Sequence, residues 1–228
     1  MAFIKHLPCP NCGSKDNLAE YIDHYYCFGC SHWKSKNDIK SVRSRLQSQQ
    51  AMPSDEISIN VTDNIPTEAM QWLLQYGITK ADVDSNHIGW CNDLQILVLV
   101  NTPNYYQGRS FLTGVKYKSK GKKPLLWYGN GDILVCVEDV ISAIKVSKAN
   151  PNVTATPLLG SSIPIELTET ILERFKTVRV WLDRDKAIEA VKQARNIKQK
   201  GIDCEAIITP LDPKEYSTGE INEWLRNR

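Results

Sequence analysis

Apolar residues are spaced in three different ways along the chain, and each spacing predicts a different kind of segment. From residue 132 onward, short apolar runs alternate with helix-period stripes. ILVCV (133–137), VTATPL (153–158), VRVWL (178–182) and CEAIIT (204–209) read as strands. Between them, Glu138–Lys148 carries a stripe at Ile141, Ile144 and Lys145. Gly160 precedes a helix over 165–174, and Lys186–Gln199 and Gly219–Leu225 complete the series. Strands alternating with longer helices predict a parallel sheet covered by helices on both faces. Further upstream, TEAMQWLLQYGIT (67–79) puts Met70, Leu73 and Leu74 on one helical face, with Thr67 as cap and Gly77 as stop. A second short helix follows at Lys80–Ser85, then a strand in LQILVLV (94–100) that Pro103 keeps from continuing. The stretch SKNDIKSVRSRLQSQQAMPSDE (35–56) has no sustained apolar stripe and reads as a polar linker, although its start suits a short helix.

The first 34 residues are too few to fold on apolar burial alone, and cysteine supplies the alternative. Cys9, Cys12, Cys27 and Cys30 have the spacing C-x2-C-x14-C-x2-C. Two such knuckles across an antiparallel ribbon bring four thiolates around one tetrahedral ion, zinc by preference. Pro10, Gly13 and Gly29 suit the tight knuckles, and Tyr25, Tyr26, Phe28 and Trp33 are expected to cover the site. Four thiolates leave no open position, so the zinc is structural. Lys15, Tyr21, His24, Tyr25, His32 and Lys34 are candidate contacts to bases or phosphates of a nucleic-acid template. The same unit equally suits a staple whose surface touches only protein. The odd cysteine count of seven argues against a disulfide framework. Cys91, Cys136 and Cys204 read as buried small apolar residues.

Net charge is only +2, but its distribution is uneven: residues 101–131 carry six basic side chains and no acid. They are Arg109, Lys116, Lys118, Lys120, Lys122 and Lys123, with Tyr105, Tyr106, Tyr117, Trp127 and Tyr128 among them. Such a cluster suits a polyphosphate nucleotide and a template backbone, or it is a solvated loop. No stretch approaches the roughly 20 apolar residues that cross a bilayer, and no signal peptide opens the chain. A cytoplasmic, non-secreted protein without a membrane partner is expected. No Walker A loop is present, so a nucleotide-driven motor is not expected.

Asp183 and Asp185 follow the strand VRVWL, and Glu138 and Asp139 follow ILVCV. Ligands gather at the carboxyl ends of strands in open parallel sheets. If the two strands are neighbours, Glu138, Asp183 and Asp185 converge, and three acids that close repel one another without a cation. Magnesium or manganese is the expected ion, one or more in number, with Asp139 as an added carboxylate. The chemistry implied is metal-assisted phosphoryl transfer, with synthesis and cleavage both open.

With those motifs in order, the chain resembles bacterial-type DNA primases, above all the primase half of short-tailed phage primase–helicases. Residues 1–34 resemble the zinc-ribbon template-recognition domain, and 35–60 a polar linker. Residues 61–131 resemble the basic, small mixed α/β subdomain that opens the polymerase module. Residues 132–228 resemble its TOPRIM catalytic domain. The resemblance implies that Glu138 is the catalytic glutamate, that Asp183 and Asp185 form the DxD motif binding magnesium, and that Gly160 is the glycine of the second TOPRIM loop. It places Asp212 and Lys214, in PLDPKEY, near the incoming nucleotide. Arg109 and one or more of Lys120, Lys122 and Lys123 would position template and triphosphate, with the lysines of 116–123 together offsetting phosphate charge. Two positions depart from the family: Asp139 replaces a glycine, and Ser142 replaces an acid.

The activity implied is synthesis of short RNA primers from ribonucleoside triphosphates on single-stranded DNA. The family's helicase would be a separate chain or a further carboxyl-terminal domain. Three rivals use similar parts. A RecR-like recombination mediator carries a helix-hairpin-helix ahead of its cysteines, for which the eight residues before Cys9 leave no room. A TOPRIM metal-dependent nuclease would cleave DNA without nucleotides. A regulatory template-binding fragment would show no chemistry at all.

Overall fold

The computed structural model describes residues 3–22, 24–30, 32–35, 57–112 and 114–226. The chain divides into two compact units, Met1–Ser54 and Asp55–Arg228. In the first, β1 (Phe3–Leu7), β2 (Leu18–Tyr21), β3 (His24–Cys27) and β4 (Trp33–Ser35) form an antiparallel sheet in chain order. Among its described residues only Cys9, Leu18, Ala19 and Cys27 are buried. Most of the expected linker lies outside the described residues. Ser35 closes β4, and Ile57 is already tied to the second unit by its N–H, which donates to the Pro103 carbonyl at 2.9 Å.

The second unit holds two four-stranded sheets. The first is antiparallel and follows two helices, α1 (Thr67–Gln75) and α2 (Lys80–Ser85). Pro66, not Thr67, occupies the N-cap of α1, with no side-chain bond, so Thr67 is simply the first helical residue. Leu74 is 54% exposed, and Ala69 joins Leu73 on the buried face instead. Gly77 ends α1 with φ of +71°, as the sequence predicts. The strands are β5 (Gly89–Cys91), β6 (Ile96–Thr102), β7 (Tyr105–Ser110) and β8 (Tyr117–Gly121), paired in chain order. β6 begins two residues later than predicted because Gln95 adopts φ of +53° in the preceding turn. It stops just before Pro103.

The second sheet contains β9 (Ile133–Val137), β10 (Val153–Pro157), β11 (Thr177–Trp181) and β12 (Asp203–Ala206). All its pairs are parallel, in the order β10-β9-β11-β12. Its helices are α3 (Val140–Ala149), α4 (Ile165–Arg174), α5 (Ala187–Lys198) and α6 (Thr218–Arg226). The alternation along β9 shows why both faces must be covered. Leu134 and Cys136 pack with Leu167 and Ile171 of α4 and Ala190 and Ala194 of α5. Val135 and Val137 pack with Ala143 and Val146 of α3 and Ile221 and Leu225 of α6. CEAIIT is strand only to Ala206, and the predicted start of α5 is a separate 3-10 turn, Arg184–Lys186. Since β10 and β11 lie on opposite sides of β9, the connections diverge there. They open a crevice beyond the carboxyl ends of β9 and β11.

Candidate active site and metal centre

In the first unit the knuckles are held by backbone bonds. The N–H of Gly13 donates to the Cys9 carbonyl at 2.9 Å, and that of Cys27 to the His32 carbonyl at 2.8 Å. The Cys9 and Cys30 sulfurs are 3.8 Å apart, those of Cys12 and Cys27 are 3.7 Å apart, and all four lie within 4.8 Å of one another. Zinc–sulfur bonds of about 2.3 Å in a tetrahedron separate sulfurs by about 3.8 Å, so the four thiols are placed to hold one zinc. Burial pushes the Cys9 thiol up to about 11, whereas hydrogen bonds from Ser14 hold Cys12 down to about 6.

One aromatic ring from each strand forms a row across the outer face of this sheet. Phe3 meets Tyr21 edge-on at 6.1 Å, Tyr21 stacks on His24 at 4.6 Å, and His24 stacks on Trp33 at 5.8 Å. Trp33 is 58% exposed and Phe28 is exposed too, so neither covers the cysteines as the sequence led us to expect. Tyr25 does, packing against Cys9, Leu18 and Cys27. The six candidate template contacts therefore divide. Tyr21 and His24 belong to the row, Tyr25 and Lys34 pair on the opposite face, Lys15 is exposed in a turn, and His32 is half-buried.

In the second unit, Val137 and Trp181 are paired in register, which sets Glu138 beside Leu182 and Asp183 one step further on. Glu138 Oε2 and Asp183 Oδ1 are both buried and accept no hydrogen bond. Burial, then the charge of Asp185, pushes the Glu138 carboxyl above its usual range. Burial also pushes Asp183 up to about 7, against the pull of Lys214. Asp185 faces outward, 68% exposed, and pairs with Lys186 at 3.0 Å.

The side chains that meet most closely include three that the sequence had assigned to other roles. The Lys214 ammonium lies 2.8 Å from Asp139 Oδ2, 2.9 Å from Asp183 Oδ2 and 3.3 Å from Asp212 Oδ2. Burial alone would lower its affinity for a proton, but Asp139 and Asp183 outweigh that and hold it well above the ordinary lysine range. Asp139 is also the N-cap of α3, accepting from the Ser142 N–H at 2.9 Å. Asp212 accepts from the Arg184 N–H at 3.1 Å. Among the described residues, the four cysteines are the only group of three or more ligand-type side chains already within reach of one ion.

The basic candidates also separate. Arg109, on β7, lies over the rings of Trp72 at 4.5 Å, Phe111 at 5.5 Å and Tyr117 at 5.6 Å, with its Nε buried and unpartnered. Partial burial of its hydroxyl, then the charge of Asp139, pushes Tyr117 up. Lys123 donates to the Leu159 carbonyl at 2.5 Å, beside Gly160, whose N–H reaches the Glu138 carbonyl at 3.4 Å. Lys118 is engaged by the Leu94 carbonyl and Lys122 by Glu166, while Lys116 and Lys120 are exposed on β8 and its approach.

A cysteine cluster of zinc-ribbon type, a mixed subdomain and a parallel sheet with acids at its crevice make up an α/β fold similar to that of solved primase domains. No family model matches the sequence. No curated protein matches it either. Among solved structures, the zinc-binding and RNA polymerase domains of Aquifex aeolicus primase match 100% of this chain and 80% of that one. The TM-score is 0.56 at 13% identity. The RNA polymerase domain of Mycobacterium tuberculosis primase matches over 85% and 78%, with TM-score 0.47 and 11% identity. A primase domain from Pseudomonas aeruginosa matches over 85% and 72%, with 0.45 and 16%. No helix among the described residues is long and apolar enough to cross a membrane.

Proposed function

We propose that the protein is a DNA primase, joining ribonucleoside triphosphates into short RNA on a single-stranded DNA template. The observation that carries this is the pair of buried, unpartnered oxygens on Glu138 and Asp183 at the crevice of a primase-like sheet. Leaving two such acceptors unsatisfied is costly unless a ligand completes them, and the donor set, carboxylate oxygen only, suits magnesium or manganese. Glu138 and Asp183 would hold the ion, with Asp185 as an outer carboxylate. A divalent cation there supplies charge neutralisation at phosphate oxygens and a lowered pKa for a bound hydroxyl. Arg109, held over its three rings, binds the triphosphate through its guanidinium. Lys116 and Lys120 offset the template backbone. The aromatic row of the ribbon stacks on template bases.

The test is primer synthesis with magnesium, labelled ribonucleotides and a broad set of single-stranded templates. Template-dependent oligonucleotides should appear, and Asp183→Asn should reduce them by about 100-fold or more, the loss of several kcal/mol of charge stabilisation. No product from a folded, DNA-binding protein would sink the reading. Strand cleavage without nucleotides would replace it with a nuclease.

A further inference from the structure

Three carboxylates converge on Lys214, so a cationic side chain sits among them. An ammonium has three N–H donors, and Asp139, Asp183 and Asp212 provide one oxygen each, from 2.8 to 3.3 Å. The Lys214 side chain is 13% exposed, unlike a surface pair that water screens. Its backbone is fixed as well. The turn Pro213–Glu215 is closed by the Asp212 N–H donating to Glu215 at 2.8 Å, and Lys145 donates to the Lys214 carbonyl at 2.9 Å.

Asp183 is shared: its Oδ2 goes to Lys214 and its Oδ1 is open. In two-metal sites, ions roughly 3.5–4 Å apart clamp the reacting phosphate between them, and Asp183 would bridge such a pair with one oxygen on each. We propose that Lys214 is a built-in counter-cation standing in place of a second divalent ion, so that Glu138 and Asp183 bind a single ion. The inference rests on the metal site proposed above. The ammonium already offsets part of the charge of Asp139, Asp183 and Asp212. A second divalent ion would have to displace the ammonium, because like charges that close exclude one another.

Manganese alone reports the count. The zinc-loaded 228-residue chain is titrated with Mn2+, bound ion is counted by electron paramagnetic resonance, and the Asp183→Asn profile is subtracted. The parent should bind one Asp183-dependent ion with no spin coupling to a second. Lys214→Met should bind two, with coupled spins, and Lys214→Arg should return to one. A coupled pair in the parent overturns the assignment and leaves the metal site standing, as does a single ion in folded Lys214→Met. No Asp183-dependent ion in the parent removes both. The parent measurement decides even where Lys214→Met does not fold.

Discussion

A guanidinium stacked against three rings is held by its planarity as much as by its charge, so an ammonium cannot replace it. Arg109→Lys should raise KM for the nucleotide about tenfold, the worth of one charge-assisted hydrogen bond. The fold should be retained, because a lysine ammonium can still lie over Trp72, Phe111 and Tyr117; steady-state kinetics and a thermal melt check both parts. An unchanged KM would remove Arg109 from the nucleotide site. The placement of Glu138 and Asp183 just past the ends of neighbouring strands was legible in the sequence, because each follows an apolar run by one or two residues. Lys214 was visible as a residue, but its contacts were not. They need Asp139, Asp183 and Asp212 to converge from three separate parts of the chain, and no local pattern encodes the convergence.

Elements add what single residues cannot. The row of Phe3, Tyr21, His24 and Trp33 exists only because β1 to β4 pair in chain order, which is why Trp33 looked like cover when read alone. Base stacking on one ring is worth about 1–3 kcal/mol, so Trp33→Ala should weaken single-stranded DNA binding by about 5- to 150-fold. The salt slope should be unchanged, whereas Lys120→Ala should reduce that slope. Fluorescence titration at several ionic strengths separates the two. In the second unit, α2 is tied to α3 by Asp82, which accepts from Lys148 at 2.7 Å and from the Thr79 N–H at 2.7 Å. Burial pushes the Asp82 carboxyl up, but Lys148 and Thr79 outweigh it and hold it below the usual range. A carboxyl lowered by folding stabilises above its unfolded value, near 3.9, and that contribution fades as pH falls through the folded value. Asp82→Asn should therefore cost about 1 kcal/mol near neutral pH, and denaturant melts should show the gap closing below about pH 4. The strands that escaped prediction have a physical excuse. β8 is YKSKG, an edge strand mostly exposed, and natural edges carry lysine because it discourages pairing with another chain. That is the same signal a solvated loop gives. The parallel sheet was legible since both faces are buried and its strands are continuous apolar runs.

At the scale of the whole molecule, two kinds of stability coexist in one chain. The second unit has apolar clusters on both faces of its parallel sheet and beneath its antiparallel one. The first has four buried side chains among its described residues, two of them cysteines of the cluster. A core that small does not offset the chain entropy of ordering four strands. Binding of a structural zinc contributes about 10–16 kcal/mol, which is folding free energy when the apo form has no preformed core. Removing the metal should therefore unfold Met1–Ser54 and leave Asp55–Arg228 intact. Tryptophan reports this cleanly, since Trp33 lies in the first unit and the other five tryptophans in the second. A strong chelator, or Cys27→Ser, should abolish the ribbon's amide protection in hydrogen exchange. The main melting transition should stay within about 2 °C of the parent, less than a 1 kcal/mol change produces at this size. Primer synthesis on template should fall with the ribbon, while Asp183-dependent manganese binding should not. If chelation also lowers the main transition by many degrees, the two units do not fold independently, and zinc stabilises the parallel sheet as well as the ribbon.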